Sequence, residues 1–187
     1  MKRALLLLIL FLLPGYAAHA VEVKEVVSES GIKAWLVEEH ALPLVAVKIT
    51  FKNSGFAYDA QGKEGRANML SSMLMEGAGD MDARRFSEAI ESRAISMTAG
   101  VDEDYFHVNM ETLSEHVETA FSYLAMVLTS PRLDADALER SRRQILSIHA
   151  QQEQDPSYKL MESWLKAAFP KHPYSNSQVG NKASIAG

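Results

Sequence analysis

Hydrophobic and polar positions along the chain fall into segments of different period. From Leu44 to Phe51 they alternate, with Val45, Val47 and Ile49 on one side and Ala46, Lys48 and Thr50 on the other. Period two is that of a half-buried strand. Pro43 stands at the strand's start, where a missing N–H does least harm. Asn53-Ser54-Gly55 punctuates its end. Ile32 to Glu38, after the turn residue Gly31, reads as an earlier strand rich in β-branched and aromatic side chains. Ile95 to Val101 and Tyr105 to Glu111 read as a strand pair around Asp102-Glu103-Asp104, an acidic stretch expected to be a solvated turn. In the second strand Phe106, Val108 and Met110 alternate with His107 and Asn109.

Elsewhere the spacing is helical. Arg66 to about Met75 predicts a helix with Met69, Leu70, Met73 and Leu74 as its buried face, closed by Gly77 and Gly79. Asp82 is placed to cap a helix reaching about Arg93, with Phe86, Ala89 and Ile90 as its stripe. Ser114 is expected to cap a helix carrying Val117, Ala120, Phe121, Leu124 and Leu128, ended by Pro131. Asp134 or Asp136 starts a long helix with Leu138, Ile145 and Ile148. Pro156 marks a break before Tyr158 to Phe169, which carries Leu160, Trp164, Leu165 and Ala168. Strands, helices, a strand pair and then helices do not alternate strictly, which disfavours a doubly wound parallel sheet. The expected class is α+β, an antiparallel sheet with helices on one face.

The first twenty residues differ from the rest. Lys2 and Arg3 precede an unbroken apolar run, Ala4 to Leu13, followed by Pro14, Gly15 and the triplet Ala18-His19-Ala20. A basic start, a short apolar run and an A-x-A site describe a secretory signal peptide, cut between Ala20 and Val21. Two domains of description follow: a signal at 1–20 and one α+β unit at 21–187. Without the signal 167 of the 187 residues remain, and the loss of Lys2 and Arg3 moves the formal charge from −5 to −7. That acidity argues against nucleic-acid binding, which needs Lys and Arg against phosphate. The absence of cysteine excludes disulfides, thiolate nucleophiles and cysteine-ligated zinc. The expected location is the periplasm or outside the cell, with no membrane association once the signal is gone.

One stretch carries candidate chemistry: Gly65-Arg66-Ala67-Asn68-Met69-Leu70-Ser71-Ser72-Met73-Leu74-Met75-Glu76-Gly77. On a helix Asn68 and Ser72 stand one turn apart, with Ser71 beside Ser72. The stretch resembles the zinc-binding helix of the pitrilysin/insulinase peptidases, the inverzincins, whose pattern is G-x-x-H-x-x-E-H-M-x-x-x-G. Gly65, Met73 and Gly77 match its glycine, methionine and glycine. The strand hairpin Ile32 to Phe51 resembles the family's lead-in. Downstream, Asp82 to Ile95, Leu124 to Pro131, Leu138 to Leu146, and His172-Pro173-Tyr174 with Gly180 resemble later segments in order and spacing.

The departures matter most. Two histidines at i and i+4 aim at one metal from one helix face, with a glutamate between them as general base. Here the ligand positions hold Asn68 and Ser72 and the base position holds Ser71. The family's third ligand, a glutamate, falls by spacing near Ser147, Ile148 or His149, where no carboxylate stands. Neutral amide and hydroxyl oxygens are poor zinc ligands, and a serine has no acid–base pKa near neutrality. His40, His107, His116 and His172 are scattered over separate elements. No G-x-S-x-G elbow, phosphate loop or G-x-G-x-x-G occurs. The resemblance therefore implies a non-catalytic member with no cofactor in this chain. It also implies a second related domain beyond residue 187, unfolded peptide as ligand, and an active zinc peptidase of the family as hetero-partner. The alternative is an active zinc peptidase with a non-standard ligand set.

Overall fold

The computed structural model describes residues 22–186. The expected signal peptide and its cleavage point at Ala20 and Val21 lie outside the described residues. The chain divides into two units at Leu42.

The first unit is an antiparallel hairpin of β1 (Val23–Val27) and β2 (Lys33–Val37), paired from Val23 opposite Val37 to Val27 opposite Lys33. Gly31, at φ +85°, supplies the left-handed turn residue. Ion pairs Lys24–Glu38 and Lys33–Glu25, each 3.1 Å, tie its strands across. The expected hairpin of Ile32–Phe51 is thus corrected. The segment before Gly31 is itself a strand and takes β2 as its partner, and the strand after Pro43 pairs elsewhere.

In the second unit, β3 (Leu44–Lys52), β6 (Ser96–Val101) and β7 (Tyr105–Leu113) form an antiparallel sheet in the order β3-β7-β6. β4 (Gly77–Ala78) and β5 (Met81–Asp82) make a small separate ladder. Along β7 the residues Phe106, Val108, Met110 and Thr112 are buried and those between them are not. One face of the sheet is therefore core and the other polar, as the alternation requires. The helices are α1 (Arg66–Met73), α2 (Ala83–Glu91), α3 (Val117–Thr129), α4 (Ala135–Gln152), α5 (Pro156–Ala168) and α6 (Lys182–Ala186). α1 packs on β6, α3 on β7, α4 on α1 and α6 on α4. Phe86, Val108, Met110, Ala120 and Val127 sit at the centre of the core. The fold class is the α+β arrangement expected from the sequence.

Several local expectations shift. On α1 the buried residues are Ala67 and Met73, followed by Leu74, while Leu70 is exposed. Asp82 caps α2 as predicted, accepting from Arg85 N at 2.9 Å. Ser114 does not cap α3. A 3-10 turn, Ser114–His116, intervenes and no side chain caps either element. Phe121 faces out because Ala120, Leu124 and Val127 make the packed stripe of α3. α4 buries Ala137, Ser141 and Ile145, leaving Ile148 exposed. Pro156 is the first residue of α5, where its missing N–H is harmless. Leu160 and Trp164 on that helix are exposed.

The acidic stretch Asp102-Glu103-Asp104 is not a simple solvated turn. Its carbonyls accept from Ser54, Phe56 and Ala57 N–H groups, and Gly55 passes so close that a Cβ there would lie 2.3 Å from Glu103 O. The Asp104 carboxylate takes the Tyr174 hydroxyl at 2.6 Å.

Candidate functional site

α1 is the element on which the family pattern falls, and its start is fixed by backbone contact. Gly65 precedes it at φ +88°, and a Cβ there would lie 2.6 Å from Val179 O. Gly180, at φ +79°, faces it, and a Cβ there would lie 2.2 Å from Glu64 O. Only glycine fits either conformation and either approach. Ser184 Oγ donates to Glu64 O at 2.8 Å, closing the same junction.

The first free N–H groups of the helix go to a side chain six residues upstream of Gly65. Asp59 Oδ2 accepts from Gly65 N at 2.9 Å and Oδ1 from Ala67 N at 3.1 Å. A carboxylate at a helix N-terminus satisfies orphan donors and complements the dipole. The Asp59 side chain is 2% exposed, with Arg66 Nε 3.7 Å away. Burial pushes its pKa above the ordinary carboxylate value, partly opposed by the Ala67 and Gly65 N–H groups and the Arg66 charge.

The polar face of α1 is differently engaged. Ser71 Oγ donates to Asn68 O and Ser72 Oγ to Met69 O, each at 2.8 Å. Both hydroxyl protons are spent on the helix's own backbone, an ordinary fate for serine within a helix. Asn68 and Ser71 are half-buried and Ser72 is exposed.

On α4, Ser147 and Ile148 are exposed and His149 is half-buried. His149 Nδ1 lies 3.5 Å from Glu153 Oε1, too far for a hydrogen bond. Lys182 holds Glu153 at 2.9 Å and lowers its pKa. The ring lines a cavity of about 330 Å³ with Glu64, Gln152, Tyr158, Glu162 and Asn181, whose walls include neither Asn68 nor Ser72.

These residues do not fit zinc. The two positions on α1 offer a neutral amide and a hydroxyl already bonded to backbone, and the imidazole on α4 belongs to another cavity. Among the described residues no three His, Asp or Glu side chains are grouped to hold a metal ion.

Beside α1 lies a feature that residue patterns did not reveal. In the β6–β7 hairpin Asp102 N donates to Tyr105 O, so those two form a hydrogen-bonded pair. Counting back through the register, Gly100, Thr98 and Ser96 aim their backbone groups at β7. Met97, Ala99 and Val101 therefore aim theirs outward. Among the described residues β6 has β7 as its sole strand neighbour, so this is an unpaired edge. Sequence gives strand and face but not order within a sheet.

The fold and the altered motif together define a peptidase-like α+β domain. The chain belongs to the insulinase family (peptidase family M16), whose description matches residues 36–182. It is 28% identical over 185 residues to the non-peptidase homolog YmxG of Helicobacter pylori, covering 99% of this chain and 42% of that protein. Over 100 residues it is 25% identical to mouse insulin-degrading enzyme, covering 54% of this chain and 10% of the enzyme. Among solved structures, a peptidase M16 inactive domain from Pseudomonas fluorescens superposes with a TM-score of 0.82 at 25% identity, covering 88% of this chain and 40% of that one. A Helicobacter pylori protease shares the fold, with a TM-score of 0.78 at 17% identity over 89% of this chain and 40% of its own. The chain thus spans about two-fifths of the non-peptidase homologue it matches. It is an insulinase-family homologue without the H-x-x-E-H motif.

Proposed function

We propose that this chain is an exported, catalytically silent member of the insulinase family that holds extended peptide and supports an active zinc peptidase of the same family. The observation that carries the reading is the pairing of a kept scaffold with exchanged chemistry. α1 retains its glycine-bounded start, while Asn68, Ser71 and Ser72 stand where ligands and base belong. Beside it the outward backbone of Met97 and Ala99 on β6 offers donors and acceptors to an added strand. Peptide held there would be bound by main-chain hydrogen bonds, which need no particular side-chain sequence. Zinc belongs to the partner in this scheme, and the A-x-A site supports export of this chain, which would meet its partner outside the cytoplasm.

Purification from the native source, with the full chain as bait, tests the reading. The expected result is a hetero-oligomer containing a family member with intact H-x-x-E-H, zinc stoichiometric with that subunit, and peptidase activity lost on chelation. Recovery of a monomer or homodimer alone would overturn the partner role. Stoichiometric zinc in this chain, with chelator-sensitive cleavage, would instead favour an active peptidase using a different ligand set.

A further inference from the structure

We infer that Gln178 sets how far a peptide can pair along β6, an inference that rests on the peptide-holding reading above. Met97, Ala99 and Val101 aim their backbone groups away from β7. At Val101 the acceptor is already taken, because Gln178 Nε2 donates to Val101 O at 2.9 Å. The Gln178 amide stands where the N–H of an incoming strand would stand. Among the described residues Met97 and Ala99 make no hydrogen bond on that side.

Gln178 is held in place from both directions along the chain. Four residues before it, Tyr174 is bonded to Asp104. Two residues after it, Gly180 is pressed against Glu64 O. The segment between these anchors is short, so the Gln178 amide is presented to the strand end by its backbone. An added strand can exchange full pairs of hydrogen bonds opposite Met97 and Ala99 and then meets an occupied carbonyl at Val101. The preferred ligand is therefore a short extended segment, and lengthening it past Ala99 adds little affinity.

The test uses the full chain, its Gln178→Ala variant, and labelled peptides of alternating threonine and valine, four, six and eight residues long. Fluorescence anisotropy reads affinity, and hydrogen exchange reads the Met97, Ala99 and Val101 amides. For the unaltered protein, affinity is expected to level off before the longest peptide. In the variant the longest peptide should gain about fivefold, the size of one net hydrogen bond, with new protection at Val101. The same plateau in both proteins, or a gain independent of peptide length, would overturn the role of Gln178 while leaving the edge intact. Absence of peptide-induced protection at Met97 and Ala99 in either protein would overturn the edge itself, and the inference with it. Gln178 is exposed, and unchanged exchange along β7 shows that the variant is folded.

Discussion

The start of α1 and its polar face lie within two turns of each other and are built on opposite terms. At the start, Gly65 and Gly180 bring two backbones together, and a buried carboxylate from Asp59 closes the helix end. Nothing there tolerates an added atom. On the polar face, Asn68, Ser71 and Ser72 are small, partly open to solvent, and bonded only within the helix where they bond at all. The machinery that aims the helix is intact, whereas the groups it would aim are ones that bind metal poorly. Tight steric terms at the helix start thus stand beside a sterically relaxed polar face on the same helix.

The sharpest way to break this contrast is at the junction. Gly180→Ala places a Cβ 2.2 Å from Glu64 O at a positive φ. The expected cost is roughly 3 kcal/mol or more, from left-handed strain plus backbone displacement. In a domain of this size that lowers the melting temperature by about 10 °C. Gly62→Ala serves as the reference. Gly62 has φ +77° but nothing within 4 Å of an added Cβ, so only the conformational cost of about 1 kcal/mol remains. Equal losses in the two variants would show that the junction is not tight.

A smaller effect is expected at Asp59. Asp59→Ala strips the acceptor from Gly65 N and Ala67 N in a buried place. Leaving buried donors unpaired costs about 2 kcal/mol. Denaturant unfolding should show a lower midpoint with an unchanged slope. A shift of less than a few tenths of a kilocalorie would mean that water replaces the carboxylate at this helix end.

The Tyr174–Asp104 bond adds a pH-dependent element to the same side of the molecule. The hydrogen bond to the Asp104 carboxylate, with the charges nearby, raises the Tyr174 pKa from 10.0 to about 12. The folded chain therefore keeps a proton that the unfolded chain has released between those values. Its contribution is fully present below pH 10 and is lost as pH rises toward 12. Wild-type stability should fall through this window more steeply than that of Tyr174→Phe, measured by thermal unfolding in matched buffers. Parallel profiles would remove Tyr174 from the anchoring of the Gln178 segment.

Much of this arrangement was legible in the residue pattern. The alternation of Val45, Val47 and Ile49, the capping Asp82, and the β6–β7 pair all follow from period and turn chemistry. That Asn68 and Ser72 stand four residues apart, at the ligand spacing of the motif the stretch resembles, is likewise a matter of residue identity at fixed spacing. What stayed hidden is non-local. The partner of β3, the engagement of the Asp102–Asp104 carbonyls by Ser54 to Ala57, and the opposition of Gly65 and Gly180 link residues far apart in the chain. Helix faces slipped for a related reason. Phe121 and Leu70 fit an apolar stripe by period, yet the stripe is rotated by whichever neighbours the helix meets.

The least disruptive change expected is on the polar face itself. Ser72 is exposed and its hydroxyl returns to Met69 O, a bond that competes with the helix ladder more than it supports it. Ser72→Ala replaces it with a better helix former and should change stability by no more than about 0.5 kcal/mol, in the stabilising direction. Asn68→Ser keeps a small polar group at a half-buried place and should likewise be near neutral for stability. In a complex with an active partner neither change should alter peptide cleavage, because the proposed zinc lies in the other subunit. The two readouts separate different failures. A stability loss above 1 kcal/mol would show that the face packs more tightly than its exposure indicates, whereas loss of bound zinc or of cleavage with the fold intact would return the chemistry to this chain.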